Sequence, residues 1–574
     1  MRILLLTHAF NSLTQRLYAE LAAAGHELSV EFDINDAVTT EAARLWQPEL
    51  IIAPFLKRAI PEAVWSRYVC LVVHPGPPGD RGPSALDWAI QDGETSWGVT
   101  VLQAEAELDA GPVWAWRSFP LRAARKSSIY RREVTEATVA AVFEAVGRYA
   151  SGSFTPAPAA ACGATRLGRT RLQMKQSDRR INWLVDDTIT VLRKLHAADG
   201  DPGVRDVLCG LRVRLFDARP EPSLNGAPGA IIARSDEAVC IATRDGAVWI
   251  GRLREIPPGR KSLKLPATQV LGARLLHIPA AAPRADAWGV ADGLQDIRYA
   301  ERGAVGYLHF DFYNGAMDTE RCVQLLESFR RAKRRPTRVI VLMGGEDFWC
   351  NGLDLNRIEA AASPADESWR NINAMDDLAA EIIATDGHLT LAALRGNTAA
   401  GGVFLALAAD RIYVRGGVIL NPHYKNMGNL YGSEYWTYLL PRRVGAAGLG
   451  AVMERRLPLL AADAAGLGLV DGCLNNERST FESEIEGLAS ELASDGPFQA
   501  LLTAKRARRM QDEAEQPLGV YREDELRRMR LNFYGFDPSY HVARYKFVYR
   551  QPHAWTPLHL ARHRQRRPLV RAAG

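Results

Sequence analysis

The sequence predicts an α/β protein of three domains: an N-terminal doubly wound parallel sheet, a small β-rich middle domain, and a C-terminal α/β domain with a helical extension. Three observations carry this prediction. The first 150 residues alternate strand-like and helix-like patterns, as a parallel sheet covered on both faces requires. Two stretches rich in Pro, Ala and Gly, at 151–164 and 279–286, interrupt the chain as linkers. From residue 297 a strand, helix, strand pattern returns and then gives way to mostly helical sequence. Boundaries are expected at 1–160, 165–280 and 285–574, since 574 residues exceed what one core can bury.

Taken in order, Arg2–Thr7 is expected as a buried strand and 12–24 as a helix closed by Gly25. Residues 50–53 and 69–73 read as further buried strands, and 140–149 as a helix. In the middle domain 178–197 is expected as an amphipathic helix, with short antiparallel strands at 229–232, 238–242 and 247–250. The third domain opens with a strand at 303–310, a helix at Thr319–Ala332 and a strand at 337–343. No internal repeat is visible.

Composition excludes several classes. With 47% hydrophobic and 24% charged residues the chain is an ordinary globular one. A net charge of +5 spread over this length argues against a dedicated nucleic-acid binder. Basic residues cluster at 505–509 and in the tail at 562–571. Such runs are either a solvated face or a phosphate clamp for an anionic cofactor; the tail is read as a solvated, frayed terminus. Seven cysteines, odd in number and never spaced CxxC, fit a reducing cytoplasm and supply no metal motif. The first apolar run, Ile3 to Leu6, lacks a cleavage pattern, and no stretch approaches the roughly 18 apolar residues of a membrane span.

Two segments carry chemistry. His74 ends the apolar run 70–73, at the carboxyl edge where open α/β sheets bind ligands. A Gly/Pro-rich loop follows, then Ser84 as a helix N-cap, and Asp109 lies beyond the strand expected at 98–102. An imidazole held by a carboxylate can stabilise an oxyanion and move a proton between a leaving nitrogen and an attacking nucleophile. The order HPG, RGPSALDWAI, GVT, LDAGPV resembles the one-carbon site of 10-formyltetrahydrofolate-dependent transferases and hydrolases. The resemblance implies catalytic roles for His74 and Asp109. The family's Asn two residues before the His is replaced by Val72, so Asn11 and Gln15 are candidates to supply the missing amide. Arg81 joins them as a candidate folate contact. The β-rich middle segment is similar to the small C-terminal domain of formyltransferases.

The second segment reads FWCNGLDL, then ALRGNTAAGGVFLALAADRI, LLPRRVG and AADAAGLGLVD. It resembles the acyl-CoA site of the crotonase (enoyl-CoA hydratase/isomerase) superfamily. There, two backbone N–H groups hold a thioester oxygen; the resemblance places them at Leu353 and Gly401. It places the adenosine end of coenzyme A beside Trp349, Cys350, Asn351 and Gly352, with Arg550 a candidate phosphate contact. The two glutamates of a hydratase fall at Phe404 and near His423, which makes water addition unlike this chain. Glu434, set among aromatic residues, is the alternative carboxylate, with a pKa expected to rise by desolvation; the other reading is an ion-paired surface residue. Tyr424 is a candidate second proton donor.

Together with HYKNMGNLYGSEYWTYLLPRRVG, THAFNSLTQRLY and MKQSDRRINW, these segments resemble, over nearly the whole chain, the HypX/HoxX family of hydrogenase maturation proteins. That resemblance implies formyl transfer from 10-formyltetrahydrofolate to coenzyme A, then decarbonylation of formyl-CoA to CO. It also implies small-molecule substrates, no metal, no nucleic acid, no membrane, and contact with other hydrogenase maturation proteins. The alternatives are a formyltetrahydrofolate hydrolase with a vestigial coenzyme A domain, and a non-catalytic one-carbon carrier or chaperone.

Overall fold

The computed structural model describes residues 1–162, 168–281 and 296–565. The ends of the two expected linkers, at 163–164 and 282–286, and the tail at 566–571 lie outside the described residues. The chain forms two compact units, Met1–Ala281 with Gln551–Gly574, and Ala282–Arg550.

The first unit opens with a six-stranded sheet: β1 Arg2–Thr7, β2 Glu27–Phe32, β3 Leu50–Phe55, β4 Cys70–His74, β5 Ser96–Gln103 and β6 Val113–Pro120. Their order is β2-β1-β3-β4-β5-β6. The first four run parallel, and β5 and β6 add an antiparallel edge. Continuous apolar runs such as Ile3 to Leu6 and Leu50 to Ala53 are fully buried, as strands covered on both faces must be. Helix Ser12–Ala23 begins where the Asn11 side chain accepts the Thr14 N–H, and Gly25 (φ 84°) turns the chain back toward β2.

β2 is an edge strand, and the end of the chain covers it. The Val30 N–H donates to the Leu560 carbonyl at 3.0 Å, and the Phe32 N–H to the Thr556 hydroxyl at 2.9 Å. Residues 551–565 therefore group with the first unit, not with the C-terminal domain where the sequence places them. Nor is the described part of the tail frayed. His563 is fully buried and meets Glu31 at 2.9 Å, and Arg564 pairs with Glu31 and Glu41. A buried carboxylate on β2 needs these partners.

The middle domain is an antiparallel sheet ordered Val204–Leu208, Leu211–Glu221, Ala247–Glu255, Val239–Ala242, Ile231–Arg234, with Lys264–Pro266 paired to Ala247–Glu255. Its helix is Thr188–Ala198, shorter than the sequence pattern predicts. Upstream, Asp178 and Asp186 turn their carboxylates onto the N–H groups of Lys175 and Asn182, local bonds that compete with helix.

The second unit has a sheet ordered Ile297–Arg302, Val305–Phe310, Val339–Leu342, Leu389–Leu394, Arg411–Arg415, Gly472–Leu474, parallel after its first hairpin. A small second sheet sets Phe348–Cys350 beside Asn397–Ala399, which brings the two Gly-containing segments together. Helices Pro364–Ile383 and Leu518–Tyr534 pack over them, in a core that includes Phe329, Trp349, Met375, Phe404 and Met529. Among the described residues no helix is long and apolar enough to cross a membrane.

Candidate active sites

His74 stands at the carboxyl end of β4 with 4% of its surface exposed. Its Nε2 lies 2.9 Å from Asp80 Oδ1, and its Nδ1 lies 3.6 Å from Asp109 Oδ1. The imidazole thus sits between two carboxylates, and the nearer is the one the sequence reading missed. Asp80 is the only acid in the Gly/Pro loop after His74, a signal that was available. The loop is built for this contact. Gly76 leaves room for it: a Cβ there would lie 2.6 Å from His74 Nε2 and 2.7 Å from Asp80 Oδ1. The Trp97 indole and the Thr100 hydroxyl donate to the Pro75 and Gly76 carbonyls and pin the loop to β5. Asp109, in the left-handed region (φ 57°), also accepts the Gly82 N–H at 3.1 Å.

The other candidates of this half have local roles. The Asn11 oxygen caps a helix, accepting the Thr14 N–H and hydroxyl, and Gln15 donates to the Phe10 carbonyl. Neither bonds to His74 among the described residues, and Val72 stays a half-buried apolar position on β4. Arg81 pairs with exposed Glu107 at 2.5 Å. Ser84 precedes helix Ala85–Asp92 but makes no cap bond; its hydroxyl accepts the Met174 N–H instead.

In the second unit the segments of Leu353 and Gly401 converge. Gly352 takes the left-handed conformation (φ 79°) that favours glycine and lies beside Gly401, whose nitrogen would be 3.4 Å from a Cβ placed on it. The neighbours of Leu353 bond to Met317, leaving the Leu353 N–H outside that bridge. Gly401 opens helix Gly401–Leu407, and a Cβ there would overlap the Glu434 carboxyl. The carboxyl therefore lies against the backbone expected to hold a thioester oxygen.

Glu434 is 1% exposed, so the surface ion-pair reading fails. Burial, then the charge of Asp376, pushes its pKa up to about 8, while the hydrogen bond from Tyr424 works the other way. Tyr424 donates to Glu434 Oε2 at 2.5 Å, and burial and the Glu434 charge hold its phenol well above the ordinary value. Phe404, standing where a hydratase has its first glutamate, stacks on the Tyr424 ring at 5.2 Å.

Glu434 and Tyr435 both take left-handed backbone conformations, φ 60° and 59°. Each costs roughly 1–2 kcal/mol for a side chain with a Cβ. Two buried carboxylates hold the turn: Asp376 accepts the Glu434 N–H at 2.8 Å, and Glu525 accepts the Tyr435 and Thr437 N–H groups at 2.9 and 2.8 Å. A hydrogen bond contributes roughly 0.5–1.5 kcal/mol net and more to a charged acceptor, so the three together are of the same order as the strain. Neither carboxylate was singled out from sequence. Asp376 carried a signal, since it interrupts the apolar face set by Ile372, Ala379 and Ile383.

The remaining coenzyme A candidates divide. Trp349 and Cys350 are 1% exposed and belong to the core. Burial pushes the Cys350 thiol up to about 12, and its sulfur accepts the Gly352 N–H. Asn351 donates to the Asn314 carbonyl. Arg550 is exposed at the end of the second unit. In the 505–509 run Arg508 is 63% exposed, 4.0 Å from Asp410, and its neighbours are engaged within the fold. Lys505 is buried on Asp410 at 2.6 Å, Arg506 donates to the Asp386 carbonyl, and Arg509 donates to Tyr438. Among the described residues no group of three His, Cys, Asp or Glu is placed to hold a metal ion.

A site on a one-carbon-transfer sheet followed by a thioester-type site defines a two-part protein of formyltransferase and crotonase type. Family models agree: the formyl transferase model matches 22–146, the formyl transferase C-terminal domain 173–268, and enoyl-CoA hydratase/isomerase 304–532. The chain belongs to the HoxX/HypX family of hydrogenase maturation factors. It is 55% identical over 574 residues to the hydrogenase maturation factor HoxX of Bradyrhizobium diazoefficiens, covering 100% of this chain and 99% of that one. It superposes with a TM-score of 0.94 and 51% identity on the crystal structure of HypX from Aquifex aeolicus in complex with tetrahydrofolic acid, covering 98% and 99% of the two chains. The methionyl-tRNA formyltransferase of Roseiflexus castenholzii is 30% identical over 184 residues, 32% of this chain and 56% of that one.

Proposed function

We propose that this chain makes CO for hydrogenase maturation by transferring formyl from 10-formyltetrahydrofolate to coenzyme A and then decarbonylating formyl-CoA. The tetrahydrofolic acid bound by the Aquifex aeolicus relative supports a folate substrate, and the enoyl-CoA hydratase/isomerase match supports a coenzyme A thioester. Seven free cysteines support a cytoplasmic place of work.

In the first step the coenzyme A thiol attacks the formyl carbon. The C–S bond forms, the C–N bond to folate breaks, and the thiol proton ends on the folate nitrogen. His74, between Asp80 and Asp109, carries that proton. In the second step the N–H groups of Leu353 and Gly401 hold the thioester oxygen. The Glu434 carboxylate takes the formyl proton as the C–S bond breaks. The C–H electron pair stays on carbon as CO, and the thiolate recovers a proton through Tyr424 and Glu434.

The observation that carries this reading is the buried Glu434 carboxyl, set against Gly401 and bonded to Tyr424. A hydratase places its acids elsewhere, and no water-adding pair is present at Phe404 and His423. The test is CO release by the full chain from 10-formyltetrahydrofolate, read as the carbonyl spectrum of a trapping haem protein. CO is expected only when coenzyme A is added to protein stripped of it. Formate without CO in both cases would support the hydrolase alternative and overturn the proposal.

A further inference from the structure

Glu434 could not hold its place by itself. Its own backbone and that of Tyr435 are left-handed, and its carboxyl must reach Gly401 and Tyr424 at once. Asp376, on helix Pro364–Ile383, is completely buried and lies directly behind the turn. It accepts the Glu434 N–H at 2.8 Å and the Ser433 hydroxyl at 2.9 and 2.8 Å. Its nearest cation is the Arg522 guanidinium at 4.0 Å, which bonds Asp377 more closely at 2.7 Å. A bare carboxylate in that position is an expensive way to secure one loop; an amide or a hydroxyl could accept the same bonds without a buried charge.

We propose that Asp376 is the positioning residue of the second site, fixing the Glu434 turn and setting the pH at which the Glu434 carboxyl gives up its proton. This rests on Glu434 being the proton acceptor proposed above. Burial, opposed by the bonds from Ser433 and Glu434, leaves Asp376 with a pKa of about 6, below the value of about 8 at Glu434. Asp376 therefore ionises first, and its charge then holds the Glu434 proton in place. The other groups facing Glu434 keep this order. Tyr424 from the same loop donates a bond to it. Glu525, from helix Leu518–Tyr534, is itself raised to about 8 by burial, so near neutral pH it is mostly protonated and Asp376 is the charge that bears on Glu434. Cys350 and Cys322 have thiols pushed up by burial and stay neutral.

The consequence is a carboxyl that is mostly protonated near neutral pH and, once ionised, is a stronger base than an ordinary carboxylate. Two variants of the full chain separate charge from shape. Asp376→Asn keeps an acceptor for the Glu434 N–H and removes the charge. The rising limb of its pH profile for CO from formyl-CoA should move to lower pH by about one unit or more, the low end of what a neighbouring charge does. Asp376→Ala removes the hold on the turn as well and should lower the CO rate about 10²-fold at every pH, as a misplaced catalytic group does.

Infrared spectra provide a reading that needs no turnover. The protonated carboxyl band that Glu434→Gln abolishes should titrate at lower pH in Asp376→Asn than in wild type. An unmoved band midpoint in folded Asp376→Asn protein overturns the inference. A moved midpoint in a protein that makes no CO even as wild type would leave Asp376 as the setter of Glu434 and overturn only the decarbonylation reading.

Discussion

The imidazole of His74 lies closer to Asp80, at 2.9 Å, than to Asp109, at 3.6 Å, and the two carboxylates approach opposite ring nitrogens. Each carboxylate also receives one backbone N–H on its other oxygen, Asp109 from Gly82 and Asp80 from Arg169. His74→Ala is expected to slow coenzyme A-dependent loss of 10-formyltetrahydrofolate by about 10²–10⁴-fold, the range of general acid–base groups. Asp80→Asn should slow it more than Asp109→Asn, because it removes the shorter bond. A larger loss in Asp109→Asn would return the supporting role to Asp109.

Sequence made the outer frame of both sites readable and left their inner supports hidden, for a physical reason. His74, Gly352 and Gly401 stand at strand ends and tight approaches, where local chemistry restricts what a residue can be. Glu434 and Tyr424 are candidates from sequence because they crowd into one aromatic loop. Asp80, Asp376 and Glu525 act through contacts that only folding creates. Asp376 bonds a residue 58 positions away and Glu525 one 90 positions away, from helices whose patterns advertise packing. The tail followed the same rule. A run of arginines around His563 reads as solvated until a buried Glu31 on β2 is known to need it.

Supplying intermediates should separate the two sites. Glu434→Gln keeps shape and an acceptor for Tyr424 but cannot take a proton. It should consume 10-formyltetrahydrofolate with coenzyme A, release little CO, and accumulate formyl-CoA or formate. Added formyl-CoA should restore CO production to His74→Ala and fail to restore it to Glu434→Gln. Chromatography of the thioester and a haem-based CO assay read both arms, and wild-type CO from Glu434→Gln would remove that residue from the chemistry.

Tyr424 tunes the same carboxyl in a direction that can be stated. Its phenol donates to Glu434 Oε2, and this bond favours the charged form, partly offsetting burial and the Asp376 charge. Wild-type CO release from formyl-CoA should therefore rise with pH up to about 8 as Glu434 ionises. Tyr424→Phe removes the bond, so its rising limb should move to higher pH, opposite to Asp376→Asn. The phenol itself stays protonated over this range. A limb that moves to lower pH in Tyr424→Phe would contradict the assigned bond.

Stability should carry the mark of Glu434 as well. Its folded pKa of about 8 lies above the ordinary carboxyl value, so its contribution is fully present in acid and is lost as pH rises toward 8. Glu434→Gln removes that loss. Its melting temperature should exceed wild type by more at pH 8.5 than at pH 5.5, measured by calorimetry of the second unit's transition in the full chain. An equal difference at both pH values would mean that Glu434 is not held protonated.

The last test concerns the chain end on β2. Burial works against the Glu31 charge, but hydrogen bonds from His563, Thr556 and Arg564 outweigh it and hold the carboxyl below its usual range. A depressed pKa contributes stability above the ordinary carboxyl value and loses it on acidification. His563→Ala leaves a buried carboxylate short of a partner, a change that costs about 3–5 kcal/mol when such a pair is broken. The tail should then detach more often, uncovering the Val30 and Phe32 N–H groups that Leu560 and Thr556 now occupy. Hydrogen exchange read by mass spectrometry should show faster exchange in the peptide spanning Glu27–Phe32, with its parallel partner β1 much less affected. The double variant Glu31→Gln with His563→Ala, which has no buried charge to strand, should recover part of the protection. Unchanged exchange across β2 in His563→Ala would show that the tail is held by its apolar contacts alone.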